Sequence, residues 1–115
     1  MDFENEVRSL KFQIDLLRSI SPLEKYPLTE LILESNISEE ELRRLFQLLE
    51  ELQEEYYLQQ EDGFVHFSNL LISFVGQLPE KFDPEKTLIA LKKENKYPEI
   101  VHVMWKSHFE SKKND

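Results

Sequence analysis

The chain is expected to be all-α: a multihelical bundle of about five to six helices whose subunits associate into a homo-oligomer. Three observations carry this. Only 2 glycines and 5 prolines occur in 115 residues, too little material for the turns of a β protein. Apolar residues recur at helical spacing through nearly the whole chain. Serine or aspartate stands at several points where such a pattern begins, as helix N-caps do. One compact domain over residues 1–110 accounts for the length, followed by a polar tail over 111–115 that is expected to fray.

The first helix is read from DFENEVRSLKFQIDLLRSI. Phe3, Val7, Leu10, Ile14 and Leu17 follow a 4-3-4-3 spacing, the seam of a coiled-coil-like helix. Phe12, Leu16 and Ile20 form a second stripe about 140° away, at about 100° per residue. A helix at the edge of a monomer needs one apolar stripe. Two stripes predict burial on two sides, and so small a subunit points to a second copy for one of them.

Ser21-Pro22-Leu23-Glu24 resembles a capping box with proline at the first helical position. A short helix is then predicted from Pro27 to about Ser35, with Asn36 as a left-handed cap and Ile37 as the apolar contact after it. Ser38-Glu39-Glu40-Glu41 is a second capping box. It starts the longest helix, which ends at Asp62 before Gly63. Glu39–Arg43 and Glu40–Arg44 are spaced as favourable ion pairs, whereas Glu50–Glu54 and Glu51–Glu55 repel.

Phe64 to Phe67 is expected to be a brief extended linker, and Ser68 the cap of NLLISFVGQL. That segment is uncharged and apolar over most of its circumference, which predicts the buried central helix. Gly76 weakens a helix interior by about 1 kcal/mol relative to alanine, so it is expected to admit a close neighbour. Asp83-Pro84 opens the next helix, with Leu88, Ile89 and Leu91 inward. Pro98 opens the last, whose apolar face holds Ile100, Val101, Met104, Trp105 and Phe109. The tripeptide Lys-Tyr-Pro occurs at 25–27 and at 96–98. The flanks of the two copies share no register, so both are read as punctuation between helices rather than as a duplication.

The formal net charge is −9, and residues 34–62 hold 10 acidic and 2 basic groups. Such a surface repels phosphate backbones and anionic lipids, so neither nucleic acid nor membrane is an expected partner. The absence of cysteine excludes disulfides and thiolate chemistry and suits a cytoplasmic location. No run of apolar residues is long enough to span a bilayer.

Chemistry-bearing patterns are sparse. Glu99-Ile100-Val101-His102 has the Glu-x-x-His spacing of dimetal bundles. Such a site needs two copies and two further glutamates; a homo-oligomer could supply the second copy across a symmetry axis, so a metal-dependent enzyme stands as a third reading, but no metal or other cofactor is called for. No phosphate-binding loop or Gly-x-Ser-x-Gly occurs, and the serines at helix starts are accounted for as caps. The chain is read as non-catalytic. Residues 29–49 have the layout of a helix-turn-helix, the runner-up reading as a DNA-binding regulator. Three glutamates in the first turn of its second helix oppose that, and an αα-hairpin is the expected form.

The expected site is therefore a surface. Phe12, Leu16 and Ile20 of the first helix, with Met104, Trp105 and His108 of the last, are the expected oligomer contacts. Glu50, Glu51, Glu54 and Glu55 form an acidic strip that could dock a basic partner, either an unidentified protein or the lysines of a neighbouring subunit.

One further comparison rests on FVHFSNLLISFVGQLPEKFDPEKTLIAL, together with Tyr26-Pro27 before the short helix and Thr87 to Leu91 in the Thr-x-x-Ala-Leu pattern. On these residues the chain resembles the YhaI-like family of small helical proteins from Bacillus and its relatives. The resemblance implies an all-helical fold whose subunits intertwine into a homo-oligomer, and it brings no activity or catalytic residue with it. The second Tyr-Pro, at Tyr97-Pro98, is not part of that pattern.

Overall fold

The computed structural model describes residues 2–113. Among them there are six α-helices and no strand: α1 (Phe3–Ile20), α2 (Pro27–Glu34), α3 (Glu39–Glu61), α4 (Phe67–Gln77), α5 (Pro84–Lys93) and α6 (Pro98–Lys113). A single 3-10 turn, Leu23–Lys25, lies between α1 and α2. Because α6 continues to Lys113, only the last two positions of the expected tail lie outside the described residues.

Local chemistry sets most of the helix ends. Ser38 and Glu41 form both halves of the capping box that starts α3. The backbone bond from Ser38 holds the Glu41 carboxyl below its ordinary 4.5, with help from the Ser38 hydroxyl and Lys81. Asp83 caps α5 through the Lys86 amide, and Pro84 takes the first helical position. Three helices stop the same way. After α2, α3 and α5 a left-handed residue, Asn36 (φ 52°), Gly63 (φ 84°) or Asn95 (φ 55°), turns the chain. The next amide then reaches back to Ile32, Gln59 or Leu91, the Schellman arrangement.

Two expected caps are displaced. The Ser21 hydroxyl donates back to the Leu17 carbonyl at the end of α1, so it does not start the following turn. α4 begins at Phe67, one residue before Ser68, and no side chain caps it.

Both Lys-Tyr-Pro copies do lie at helix boundaries, with Pro27 and Pro98 each opening a helix. Their tyrosines differ. Tyr26 has a negative φ of −129°, whereas Tyr97 is left-handed at φ 47°, a conformation that costs a bulky residue about 1–2 kcal/mol. Two contacts hold Tyr97 there: its ring stacks on Phe46 at 6.0 Å, and its hydroxyl donates to Glu50 at 3.1 Å. Burial, and then that carboxylate, raise the Tyr97 pKa above its usual 10.

The core gathers Leu45, Leu49, Phe74, Leu91, Ile100 and Met104, all fully enclosed. Its hub is α6, which packs on α3, α4 and α5, while α2 lies across α5. The expected central helix, α4, is instead peripheral. It buries only Leu70 and Phe74 and leaves Ile72 66% and Val75 48% exposed. Part of its apolar circumference is therefore left uncovered. No packing neighbour lies within 4 Å of the place a Cβ at Gly76 would take, so the expected close approach does not occur within the subunit.

The hairpin reading of residues 29–49 also changes. α2 packs on α5 rather than back on α3. The Glu94 carboxylate at the end of α5 accepts a 2.6 Å bond from the Leu28 amide at the start of α2, satisfying a donor that helix geometry leaves orphaned.

The molecule measures 61 × 27 × 24 Å, with a radius of gyration of 17.4 Å. A compact domain of this length would have about 13 Å. The difference comes from α1, which packs closely on none of the other helices.

Candidate functional site

The feature that sets this molecule apart is the uncovered surface of α1. Its 18 residues begin at the Asp2 cap, which accepts from the Asn5 amide. Glu4 and Glu6 in the first turn and Arg18 in the last suit the helix dipole. Locally the helix is well specified, yet it has no buried residue. Its large apolar side chains range from 46% exposed at Ile14 to 81% at Ile20.

The two stripes differ in what they face. Val7, Leu10 and Ile14 of the seam border a half-open groove of about 470 Å³ whose far wall is Ile32, Leu33 and Ile37 of the same subunit. The other stripe, Phe12, Leu16 and Ile20, lines no part of that groove and is exposed along its length. The three α1 residues expected at an oligomer contact are therefore all available.

The three expected on α6 are not equivalent to them. Met104 is 0% exposed: it belongs to the subunit's own core, because it faces inward at the hub of the bundle. Trp105 is half-buried. Its ring lies 4.3 Å from that of Phe109, and the Lys92 ammonium stands 5.1 Å over its face. His108 is half-buried too, 3.2 Å from the Glu85 carboxylate and edge-on to Phe109 at 4.8 Å. These side chains stitch α6 to α5 within one subunit.

Glu50, Glu51, Glu54 and Glu55 are all exposed on α3. Glu50 accepts from Tyr97, and Glu51 and Glu55 accept from Gln47 and Gln59 of their own helix. At the start of the same helix Arg43 takes both acidic partners, Glu40 at 2.9 Å and Glu39 at 3.5 Å. The Glu40–Arg44 pairing read from spacing thus gives way to Glu40–Arg43. Arg43, one of the two arginines a groove-reading helix would have offered, is engaged by carboxylates.

The two members of the Glu99-x-x-His102 pattern have different neighbours. Tyr57 hydrogen-bonds to Glu99, which with partial desolvation raises the tyrosine pKa above 10. His102 lines a second half-open cleft of about 470 Å³, between α3, α4 and α6, together with Tyr56, Phe67 and Lys106. Lys106 pairs there with Glu110 at 3.7 Å. Among the described residues no three His, Asp or Glu side chains converge on a position where they could hold a metal ion. Among those residues, too, no helix is long and apolar enough to cross a membrane.

Sequence patterning missed one part of this surface, the outer face of α4. A helix that is apolar all round reads as buried. The signal that could have exposed it is size: six helices in 115 residues cannot sheathe both α1 and α4.

The chain matches over residues 1–107 the family described as "Protein of unknown function (DUF1878)", and it belongs to that family. The match spans both uncovered helices, α1 and α4.

Proposed function

We propose that this protein is a non-catalytic, homo-oligomeric protein-interaction module, whose first partner is another copy of itself. The single observation behind this is an 18-residue amphipathic helix, α1, with no buried residue. In proteins most of a helix's stability comes from packing an amphipathic face rather than from intrinsic propensity. Soluble monomers seldom present a contiguous apolar patch beyond about 300–600 Å². A surface of this kind is stabilised by association, and Phe12, Leu16 and Ile20 are the contacts that association uses. Trp105 and His108 of α6, both half-buried, are further contacts in the same proposal. Glu50, Glu51, Glu54 and Glu55 serve as a docking strip for a basic protein surface, with their exposure and the excess negative charge of residues 34–62 in support. A cytoplasmic setting and kinship with the YhaI-like proteins of Bacillus belong to the same proposal, resting on the absence of cysteine and on the Phe64–Leu91 pattern.

Light scattering on the purified chain tests it. The expected mass at micromolar concentration is a multiple of 13.8 kDa, reduced to a single chain by Leu16→Glu. A wild-type mass of one chain would overturn the proposal.

A further inference from the structure

We infer that the cleft between α3, α4 and α6 is a binding site for a small aromatic carboxylate. It uses none of the contacts named for assembly. The cleft is half open and holds about 470 Å³, within the range of small-molecule sites. Three helices supply its walls, so the body of the subunit fixes their geometry.

Two aromatic walls come from different helices. Tyr56, half-buried, lies near the end of α3, and Phe67 opens α4. Phe67 is 49% exposed, so much of its ring is not spent on the subunit's own core. The buried Val103 of α6 gives the cleft an apolar inner side. Rings favour offset or edge-on contact with other rings, and this part of the cleft therefore suits a flat aromatic body.

The polar part is rich in unspent donors. His102, Lys106, Ser107 and Glu110 share the face of α6 that borders the cleft, as spacings of three and four residues require. The Tyr56 hydroxyl accepts from Gln60 at 2.9 Å, which leaves its own proton to donate. Among the described residues neither the Ser107 hydroxyl nor the His102 ring has a hydrogen-bond partner. Against these donors stands one carboxylate, Glu110, 3.7 Å from the Lys106 ammonium. Both side chains are more than half exposed, and an exposed pair contributes little. A ligand carboxylate can part that pair and take the lysine.

The charge available sets the class of anion. Among the described residues Lys106 is the only lysine or arginine lining the cleft, which suits a single negative charge. A phosphate group, with nearly two charges and three acceptor oxygens, is better served by the planar fork of arginine.

Equilibrium dialysis of the full chain against benzoate tests the site, with acetate and benzylamine as comparison probes. Benzoate is expected to saturate at one per chain. Acetate lacks the ring and benzylamine the negative charge, so each should bind at least tenfold more weakly. Lys106→Gln should weaken benzoate about tenfold, the loss of a charge-assisted bond. Glu110→Gln should tighten it about threefold, because the competing carboxylate is gone. Both positions are exposed, and an unchanged far-ultraviolet helical signal checks that the variants fold. No benzoate bound at about 10 mM, a concentration that reveals even weak ligands, would overturn the site. So would benzylamine binding as tightly as benzoate, an affinity indifferent to Lys106→Gln, or a Glu110→Gln chain that binds no more tightly than wild type.

Discussion

α1 and α6 are near equals in length, 18 and 16 residues, and each carries a long apolar face. α6 sinks Ile100, Val101 and Met104 between three other helices, whereas α1 buries nothing. The difference lies in what each helix finds opposite it. α6 follows α5 through a short left-handed turn and meets α3 and α4 on its other sides. α1 is joined only to the 3-10 turn before α2, and that end of the bundle offers it one shallow groove. Amphipathicity states that a face will be covered; the arrangement of the remaining chain decides which molecule covers it.

Substitutions at four positions sharpen that contrast, and the first has the largest effect. Phe74 is fully enclosed where α4 meets the hub, so Phe74→Ala should destabilise the body by about 3–5 kcal/mol in urea titration. The loss should not depend on protein concentration, unlike the effect of Leu16→Glu. Equal concentration dependence for both would erase the distinction between the two helices.

Glu94→Ala comes next. Removing the carboxylate bonded to the Leu28 amide should lower stability by about 1.5–3 kcal/mol, with Glu94→Gln losing less because it keeps an acceptor. An unchanged urea midpoint in both would mean that α2 is not fastened to α5 through this contact. Thr87 works in the opposite direction. It is buried on α5, and its hydroxyl has no hydrogen-bond partner. Thr87→Val should therefore raise stability by about 1 kcal/mol, and a loss of that size would mean the hydroxyl is satisfied.

Glu41 gives the smallest effect, visible only against pH. Its folded-state pKa lies below the ordinary 4.5, so its contribution is present above that value and disappears as pH falls through the lowered one. The stability gap between wild type and Glu41→Gln should be open at neutral pH and close in acid. A gap that is constant from neutral to acid would rule out the capping carboxylate as its source.

Helix ends were the most legible part of the sequence because they depend on a few neighbouring residues. Ser38 with Glu41, Asp83 with Pro84, and the left-handed Asn36 and Gly63 all act within about one turn. What depended on distant packing was harder to read. Ser21 could cap forward or backward, and only the end of α1 decides. Met104 and Trp105 are adjacent on one apolar face, and only the placement of α3 and α4 separates the enclosed one from the half-exposed one. The charge-free α4 segment carried the signature of a buried helix, which in this subunit belongs to α6. The exposed stripe of α1 was legible because two apolar edges on one short helix exceed the surface a small chain can spare.

The central claim is that α1 is ordered by a neighbouring chain, and hydrogen exchange followed across protein concentration tests it most directly. The account predicts that α1 amides near Phe12 and Leu16 are protected to a degree comparable with those of α5 when the protein is assembled. On dilution their protection should collapse while that of α5 holds. Fast exchange in α1 at every concentration, or protection that dilution never alters, would contradict it.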